Sequence, residues 1–360
     1  MGDSSKPTAV ESVLHWIDER LPLSQVAQYL SKKEVPRHKY SFWYYFGGLT
    51  LFLLLVQVIS GILLLLYYQP APELANESVR TIVEKVPFGW VIRSVHVWSS
   101  NLMIASIFVH MFSVFLLKAY RKPRELMWLT GFVLLFLTLG FGFTGYLLPW
   151  DSTAYFATVI GTEIPKSIPI LGEITVRFLT GANEVGASTL TRMYGIHVVV
   201  LPLLTLGFVG LHLVLNQVLG PSVPIGVATR NPGIPFFPNF ALRDLRTWVI
   251  AFAFIAALAL LVPWPIGEKA DPFASAPAGI KPEWYFLVLY QTLRLVPSTI
   301  LSLNGEMFVN LGVLVVSLVW LLIPFLDRKA SRGERSPWFT YLGIVAILYM
   351  VTMTLLAYLT

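Results

Sequence analysis

Seven stretches of the chain, roughly 43–68, 90–117, 128–148, 194–219, 245–262, 307–326 and 338–358, run with hardly a charged side chain. About 20 apolar residues at 1.5 Å rise each cross the ~30 Å hydrocarbon core of a bilayer. The pattern therefore predicts seven membrane-spanning helices. The connections between them alternate in charge. After the second span comes KAYRKPREL, with Lys118, Arg121, Lys122 and Arg124 against Glu125 alone. After the fourth come Arg230, Arg243 and Arg246 against Asp244, and after the sixth DRKASRGER. The connections 69–89, 149–193 and 263–306 are acidic or mixed. Basic loops stay on the cytoplasmic, or n, side. The N-terminus is then expected on the n side and the C-terminus on the opposite, p side.

Composition agrees with the pattern. Of 360 residues, 56% are hydrophobic and only 13% charged, far from a soluble balance. The absence of cysteine excludes a disulfide, a thiolate metal site, an iron–sulfur cluster and a thioether-linked haem on this chain. The first 40 residues are polar, and no cleavable signal peptide is expected. Residues 8–31 read either as an amphipathic helix on the n-side surface or as a solvated leader. The segment 220–242, with prolines at 221, 224, 232, 235 and 238, is a candidate seam. It divides a four-helix part, 1–220, from a three-helix part, 221–360.

Four of the six histidines fall inside spans; His15 and His38 lie in the polar N-terminal part and read as solvated. His96 and His110 are 14 apart in the second span, His197 and His212 15 apart in the fourth. At ~100° per residue, 14 steps return to within about 40° of the starting face and 15 to within about 60°, about 21–22 Å along the axis. The two helices run parallel, so His96 pairs with His197 near the p side and His110 with His212 toward the n side. One intramembrane histidine reads as packing. Two level pairs suit bis-histidine ligation of two b-type haems, each imidazole giving one nitrogen to iron.

The glycines repeat the step. Gly47 and Gly61 in the first span, and Gly131 and Gly145 in the third, are each 14 apart. Glycine lets another group come close to the backbone, here the edge of a flat porphyrin. Arg93 and Arg192 are placed to clamp p-side haem propionates, unless they only snorkel to the interface. Lys118 and Trp128 are the candidates at the n-side haem.

At this point GWVIRSVHVWSSNLMIASIFVHMF, KPRELMWLTGFVLLFLTLGFGFTGYLLPWDSTAYFATVI and GASTLTRMYGIHVVVLPLLTLGFVGLHLVL resemble the haem-binding half of cytochrome b. GEKADPFASAPAGIKPEWYFLVLYQTLRLVP resembles its quinol-site half. The PWD motif, the 15-residue step and the seven-helix count are similar to the chloroplast and cyanobacterial b-six-f branch, but both halves are joined in one chain as in bc complexes. The resemblance implies an all-α membrane subunit of a quinol–cytochrome c or quinol–plastocyanin oxidoreductase running a Q cycle. Its implied partners are a Rieske iron–sulfur protein, a c-type cytochrome, quinone and the bilayer, in a dimeric complex with no nucleic acid. A bacterial cytoplasmic or photosynthetic membrane is the implied location.

Within that resemblance Glu283 of PEWY becomes the base that takes a quinol proton, with Tyr285 beside it; alone, it reads as a carboxylate at a helix N-terminus. GYLLPWDSTAYFATVI, with Tyr146, is the implied opposite wall. FFPNFALRDL is similar to the bc-type stretch whose acidic residue helps protonate quinone, which selects Asp244; a plain Arg243–Asp244 pair is the other reading. Three departures stand out. Tyr45 occupies the place of the cysteine that tethers a further haem in the chloroplast branch, Ser113 that of a common arginine, and Asn216 and Gln217 that of a basic pair. The rival readings are a di-haem b anchor of another respiratory oxidoreductase, and a secondary transporter without haem.

Overall fold

The computed structural model describes residues 8–300 and 303–360. Among the described residues, seven helices are long and apolar enough to cross a membrane, each overlapping one predicted span. In chain order the helices are α1 (Ala9–Arg20), α2 (Leu23–Ser31), α3 (Tyr45–Leu65), α4 (Ala75–Glu84), α5 (Gly89–Leu116), α6 (Glu125–Leu147), α7 (Ser152–Lys166) and α8 (Leu171–Thr180). Then follow α9 (Ala187–Leu219), α10 (Ala241–Leu261), α11 (Leu287–Leu295), α12 (Gly305–Leu326) and α13 (Pro337–Leu359). The spans are α3, α5, α6, α9, α10, α12 and α13.

Local chemistry starts and stops these helices. Thr8 and Glu11 form a reciprocal capping box at α1, and the break before α2 falls at Pro22. The Asp151 carboxylate accepts from the Ala154 N–H at the head of α7, and the Asn304 side chain from Met307 N–H at the head of α12. Gly220, at φ 65°, ends α9 in a conformation that favours glycine.

The segment 8–31 is thus two helices rather than one. Val10, Val13, Leu14 and Trp16 form an apolar stripe on α1 that the protein leaves exposed. His38 is a correction to the solvated reading: it is buried, its Nε2 2.6 Å from the Tyr44 hydroxyl. The candidate seam carries β2 (Arg230–Pro235), which pairs antiparallel with β1 (Glu34–Arg37) and ties the N-terminal segment to the connection between α9 and α10.

Two close helix pairs build the haem-binding part: α3 runs along α5, and α6 along the second half of α9. Little of their apolar surface is covered by protein, as suits helices whose outer faces meet lipid. At one end of the bundle, a cluster around Leu147, Trp150, Tyr155 and Met193 holds α7 and α8 against the ends of α6 and α9. At the other end Phe115, Tyr120, Trp128 and Ile323 join α5 and α6 to α12.

Candidate functional site

Each histidine of α5 and α9 lies against one glycine of the neighbouring helix. A Cβ added at Gly61 would sit 3.3 Å from Cε1 of His96, and one at Gly47 3.2 Å from Cε1 of His110. On the second pair, Gly131 faces His212 at 3.3 Å and Gly145 faces His197 at 2.6 Å. The predicted glycines therefore do make room, but for an imidazole rather than for the edge of a flat group. All four rings could not lie this close to a side-chain-bearing backbone.

The residue before each glycine decides what the ring's Nδ1 does. Ser60 Oγ lies 2.9 Å from His96 Nδ1, Thr130 Oγ1 2.9 Å from His212 Nδ1, and Thr144 Oγ1 3.0 Å from His197 Nδ1. Each hydroxyl already donates its own proton within its helix: Ser60 to Val56 O at 2.6 Å, Thr130 to Met127 O at 3.0 Å, Thr144 to Gly140 O at 2.8 Å. The hydroxyl must therefore accept from Nδ1–H. That places the proton on Nδ1 and leaves a lone pair on Nε2, the state in which an imidazole ligates metal.

Before Gly47 stands Phe46, which has no hydroxyl, and His110 Nδ1 is buried with no hydrogen-bond partner among the described residues.

The 15-residue step of α9 has a structural cause. Residues Ile196–Val200, which include His197, form a π turn, with the Leu201 N–H reaching back to Ile196 O. Pro202, just beyond, has no N–H to continue the regular ladder. One π turn absorbs one residue. The 15-residue step on α9 thus covers nearly the rotation that 14 residues cover on α5, and the two histidine pairs stay level.

His96 and His197 line a common cavity of about 430 Å³ together with Gly61, Gly145 and Arg93. His110 and His212 form the second pair, seated on Gly47 and Gly131. Lys118, at the end of α5, is buried with its Nζ 4.9 Å over the Phe115 ring and no hydrogen-bond partner among the described residues. Burial pushes its ammonium down to about 8, with Asp327 acting against the shift. An unpaired buried ammonium just past the end of the helix that carries His110 suits a ligand carboxylate. Opposed imidazoles with Nε2 lone pairs, the cavity and this cation together fit an iron porphyrin.

Two residues expected at the haems have partners within the protein. Arg192 donates to the carbonyls of Arg177 and Phe178, at 3.1 and 2.7 Å, and so caps the C-terminus of α8; it is not among the residues lining the cavity. Trp128 donates from Nε1 to Trp320 O at 3.0 Å and packs on Phe115 and Tyr120, tying α6 to α12. Arg93 does line the cavity, but it also donates to the carbonyls of Trp264 and Pro265, at 2.7 and 3.0 Å. Its guanidinium links α5 to the connection that follows α10.

Glu283 sits directly before the short turn Trp284–Phe286 that leads into α11, and its side chain makes no capping bond there. Its carboxylate therefore stands at a helix N-terminus without serving as a hydrogen-bonding cap. A second pocket of about 180 Å³, mostly apolar, is walled by Phe143, Ile160, Ile164 and Leu289. Tyr146, Glu283 and Tyr285 belong to both this pocket and the histidine cavity, so they form the partition between them. Burial pushes the Glu283 carboxyl above the usual carboxylate range. Burial, and then the neighbouring Glu283 and Tyr146, raise the Tyr285 phenol.

Sequence reasoning missed two supports of this partition. Asn101 Oδ1 accepts from Trp284 Nε1 at 2.7 Å, anchoring the PEWY turn to α5. Gly142 is in contact with the Tyr285 ring, where an added Cβ would stand 2.7 Å from the phenol oxygen. At the other end of the bundle the Asp244 carboxyl lies over Gly48, where an added Cβ would fall 2.7 Å from Cγ. Its Oδ1 is buried without a partner, and no Arg243–Asp244 ion pair forms among the described residues.

A bundle of apolar helices that opposes partly buried imidazoles in pairs has the architecture of a membrane cytochrome. Residues 30–220 match the family described as Cytochrome b/b6/petB, and residues 269–360 the family described as Cytochrome b(C-terminal)/b6/petD. The chain is 48% identical over 359 residues to a "Cytochrome bc complex cytochrome b subunit" of Chlorobaculum thiosulfatiphilum, covering 98% of this chain and 82% of that one. It is 45% identical over 213 residues to a "Cytochrome b6" of Heliobacterium mobile, covering 59% of this chain and all of that one. A solved structure titled "Hyperthermophilic respiratory Complex III" superposes with a TM-score of 0.85 at 31% identity, over 96% of this chain and 91% of that chain. The chain belongs to the cytochrome b family, the membrane electron-transfer subunits of bc-type quinol oxidoreductases.

Proposed function

We propose that the chain oxidises quinol in the apolar pocket beside Glu283 and passes one electron across the membrane between two b haems. His96 and His197 would hold one haem, and His110 and His212 the other, all through Nε2. When bound, each haem supplies a one-electron ferric/ferrous couple. The Gly61, Gly145, Gly47 and Gly131 backbones admit the four rings, and the Ser60, Thr130 and Thr144 hydroxyls hold three of them in the ligating tautomer. Lys118 meets a haem carboxylate at the His110–His212 end, and Arg93 at the His96–His197 end.

The observation that carries the reading is the shared partition. Quinol gives up two electrons and two protons. A carboxylate that borders both the quinol pocket and the histidine cavity can take a proton from one and release it into the other. The raised proton affinity of Glu283 suits that exchange. Tyr285, pressed on Gly142, shapes the partition, and the Trp284–Asn101 bond holds the turn in place. Asp244, with its free Oδ1 near the other histidine pair, delivers a proton to quinone being reduced there.

The loop charges support placing the Glu283 end on the p side, with the N-terminus on the n side and the C-terminus on the p side. Residues 1–220 form the di-haem part and 221–360 the quinol-site part. The second quinol electron leaves to a Rieske iron–sulfur protein and then a c-type cytochrome, within a homodimeric complex in a bacterial cytoplasmic or photosynthetic membrane. Tyr45, in place of cysteine, leaves no thioether for a further covalent haem.

Glu283→Gln tests the assignment. The complex should keep both haem spectra while quinol oxidation falls roughly 100-fold, the lower end of a general base's contribution. Turnover at the wild-type rate would sink the proposal.

A further inference from the structure

The four imidazoles share one seating plan, and one of them lacks a part of it. Each has a glycine at its Cε1, and at three positions the residue before that glycine meets Nδ1. That residue is Ser60, Thr130 and Thr144 at three positions and Phe46 at the fourth. Three Nδ1–H groups have an oxygen acceptor within 3.0 Å. His110 Nδ1 is buried and has none among the described residues. On α3, Thr50 makes its side-chain hydrogen bonds away from His110. Thr50 Oγ1 donates to Phe46 O at 2.8 Å and lies 2.8 Å from Ser106 Oγ.

We propose that Phe46, by withholding a hydroxyl from His110, makes the haem of the His110–His212 pair easier to reduce than the haem of the His96–His197 pair. The inference rests on the haem-ligand reading above. An imidazole whose Nδ1–H is bound by an acceptor is more basic and donates more strongly through Nε2. Stronger donation stabilises ferric over ferrous iron, so the couple moves to lower potential. Hydrogen bonding around the ligand is one of the levers by which a protein sets a haem potential. One pair has two such rings and the other has one. The difference points the electron from the His96–His197 end, beside the quinol pocket, toward the His110–His212 end. Direction of transfer is then written into α3 by one side chain that touches no electron carrier's iron.

The test is an optical redox titration of the purified complex, which separates two b-haem components. Phe46→Ser restores the hydroxyl. The higher-potential component alone should move down, its reduced-to-oxidised ratio at fixed ambient potential falling about tenfold, equivalent to ~59 mV for a one-electron couple. Phe46→Ala removes the same ring without adding an oxygen and should leave that component within twofold of wild type. Ser60→Ala and Thr144→Val should each raise the lower-potential component and leave the other in place. Ferric EPR g-values should shift for the same component in each variant.

An unmoved or upward-moving higher component in Phe46→Ser overturns the proposal, as does an equal shift in Phe46→Ala. If Phe46→Ser fails to assemble, the two p-side variants still decide: a lower component that does not rise refutes the reasoning. Two wild-type haems with unchanged potentials in the variants is failure of this inference. Absence of haem from well-folded wild-type protein is failure of the ligand reading instead.

Discussion

Gly145→Ala is the sharpest test of how the rings are seated. The added Cβ would stand 2.6 Å from His197 Cε1, 3.1 Å from Nδ1 and 3.3 Å from Nε2, so the whole edge of the ring faces it. Ordinary carbon–carbon contact lies near 3.5–4.0 Å. The ring or the helix must therefore retreat by about 1 Å. The ring is not free to swing aside, because Thr144 holds Nδ1 at 3.0 Å and a bound iron would hold Nε2. Overpacking of this kind costs about 1–3 kcal/mol, which is roughly a five- to 150-fold weaker hold on the haem. The same substitution at Gly61 or Gly131 meets Cε1 at 3.3 Å, and a few tenths of an ångström relieve it. Pyridine haemochrome quantitation per chain, with reduced-minus-oxidised spectra, reads the difference. Gly145→Ala should lose most of the His96–His197 haem and keep the other, while Gly61→Ala and Gly131→Ala keep both. Full haem content at wild-type potentials in Gly145→Ala, or greater loss in Gly131→Ala, would refute the seating described here.

Four further outcomes follow from the same geometry. Gly48→Ala places a methyl in the Asp244 carboxyl and should slow quinone reduction at that end at least tenfold, measured as reoxidation of pre-reduced haem, with haem spectra intact. Arg192→Ala removes the two bonds to the end of α8 and should destabilise that segment by about 1 kcal/mol, seen as faster hydrogen exchange over 171–180, without loss of haem; a lost haem would restore its role as a propionate clamp. Trp284→Phe breaks the tie to Asn101 and should lower the quinol oxidation rate several-fold while Asn101→Ala does the same and the pair together add little. Glu283 accepts a proton only when ionised, and burial raises its pKa above 4.5. Quinol oxidation should therefore fall as pH drops through that raised value, and Glu283→Gln should flatten this acid limb; a limb at or below pH 4.5 in the wild type contradicts the assignment.

Much of this protein is written in the order of its residues. Hydropathy is a local sum, so seven spans can be counted without knowing what they touch. Helical periodicity is equally local, and the histidine and glycine steps of 14 and 15 place the candidate ligands and their cradles on single faces. What the steps do not show is which helix lies beside which. The Ser60, Thr130 and Thr144 hydroxyls stand openly before their glycines, yet their meaning, and that of Phe46, appears only when each glycine is seen against one histidine. Arg192 and Trp128 carry the right chemistry for haem but find backbone carbonyls within 3.1 Å instead. The short helices α4, α7 and α8 escaped for a related reason: pieces this short gain their stability from packing rather than from their own pattern. A hydrogen bond is decided within a few tenths of an ångström, and only the docking of α3 on α5 and α6 on α9 brings donor and acceptor to that range.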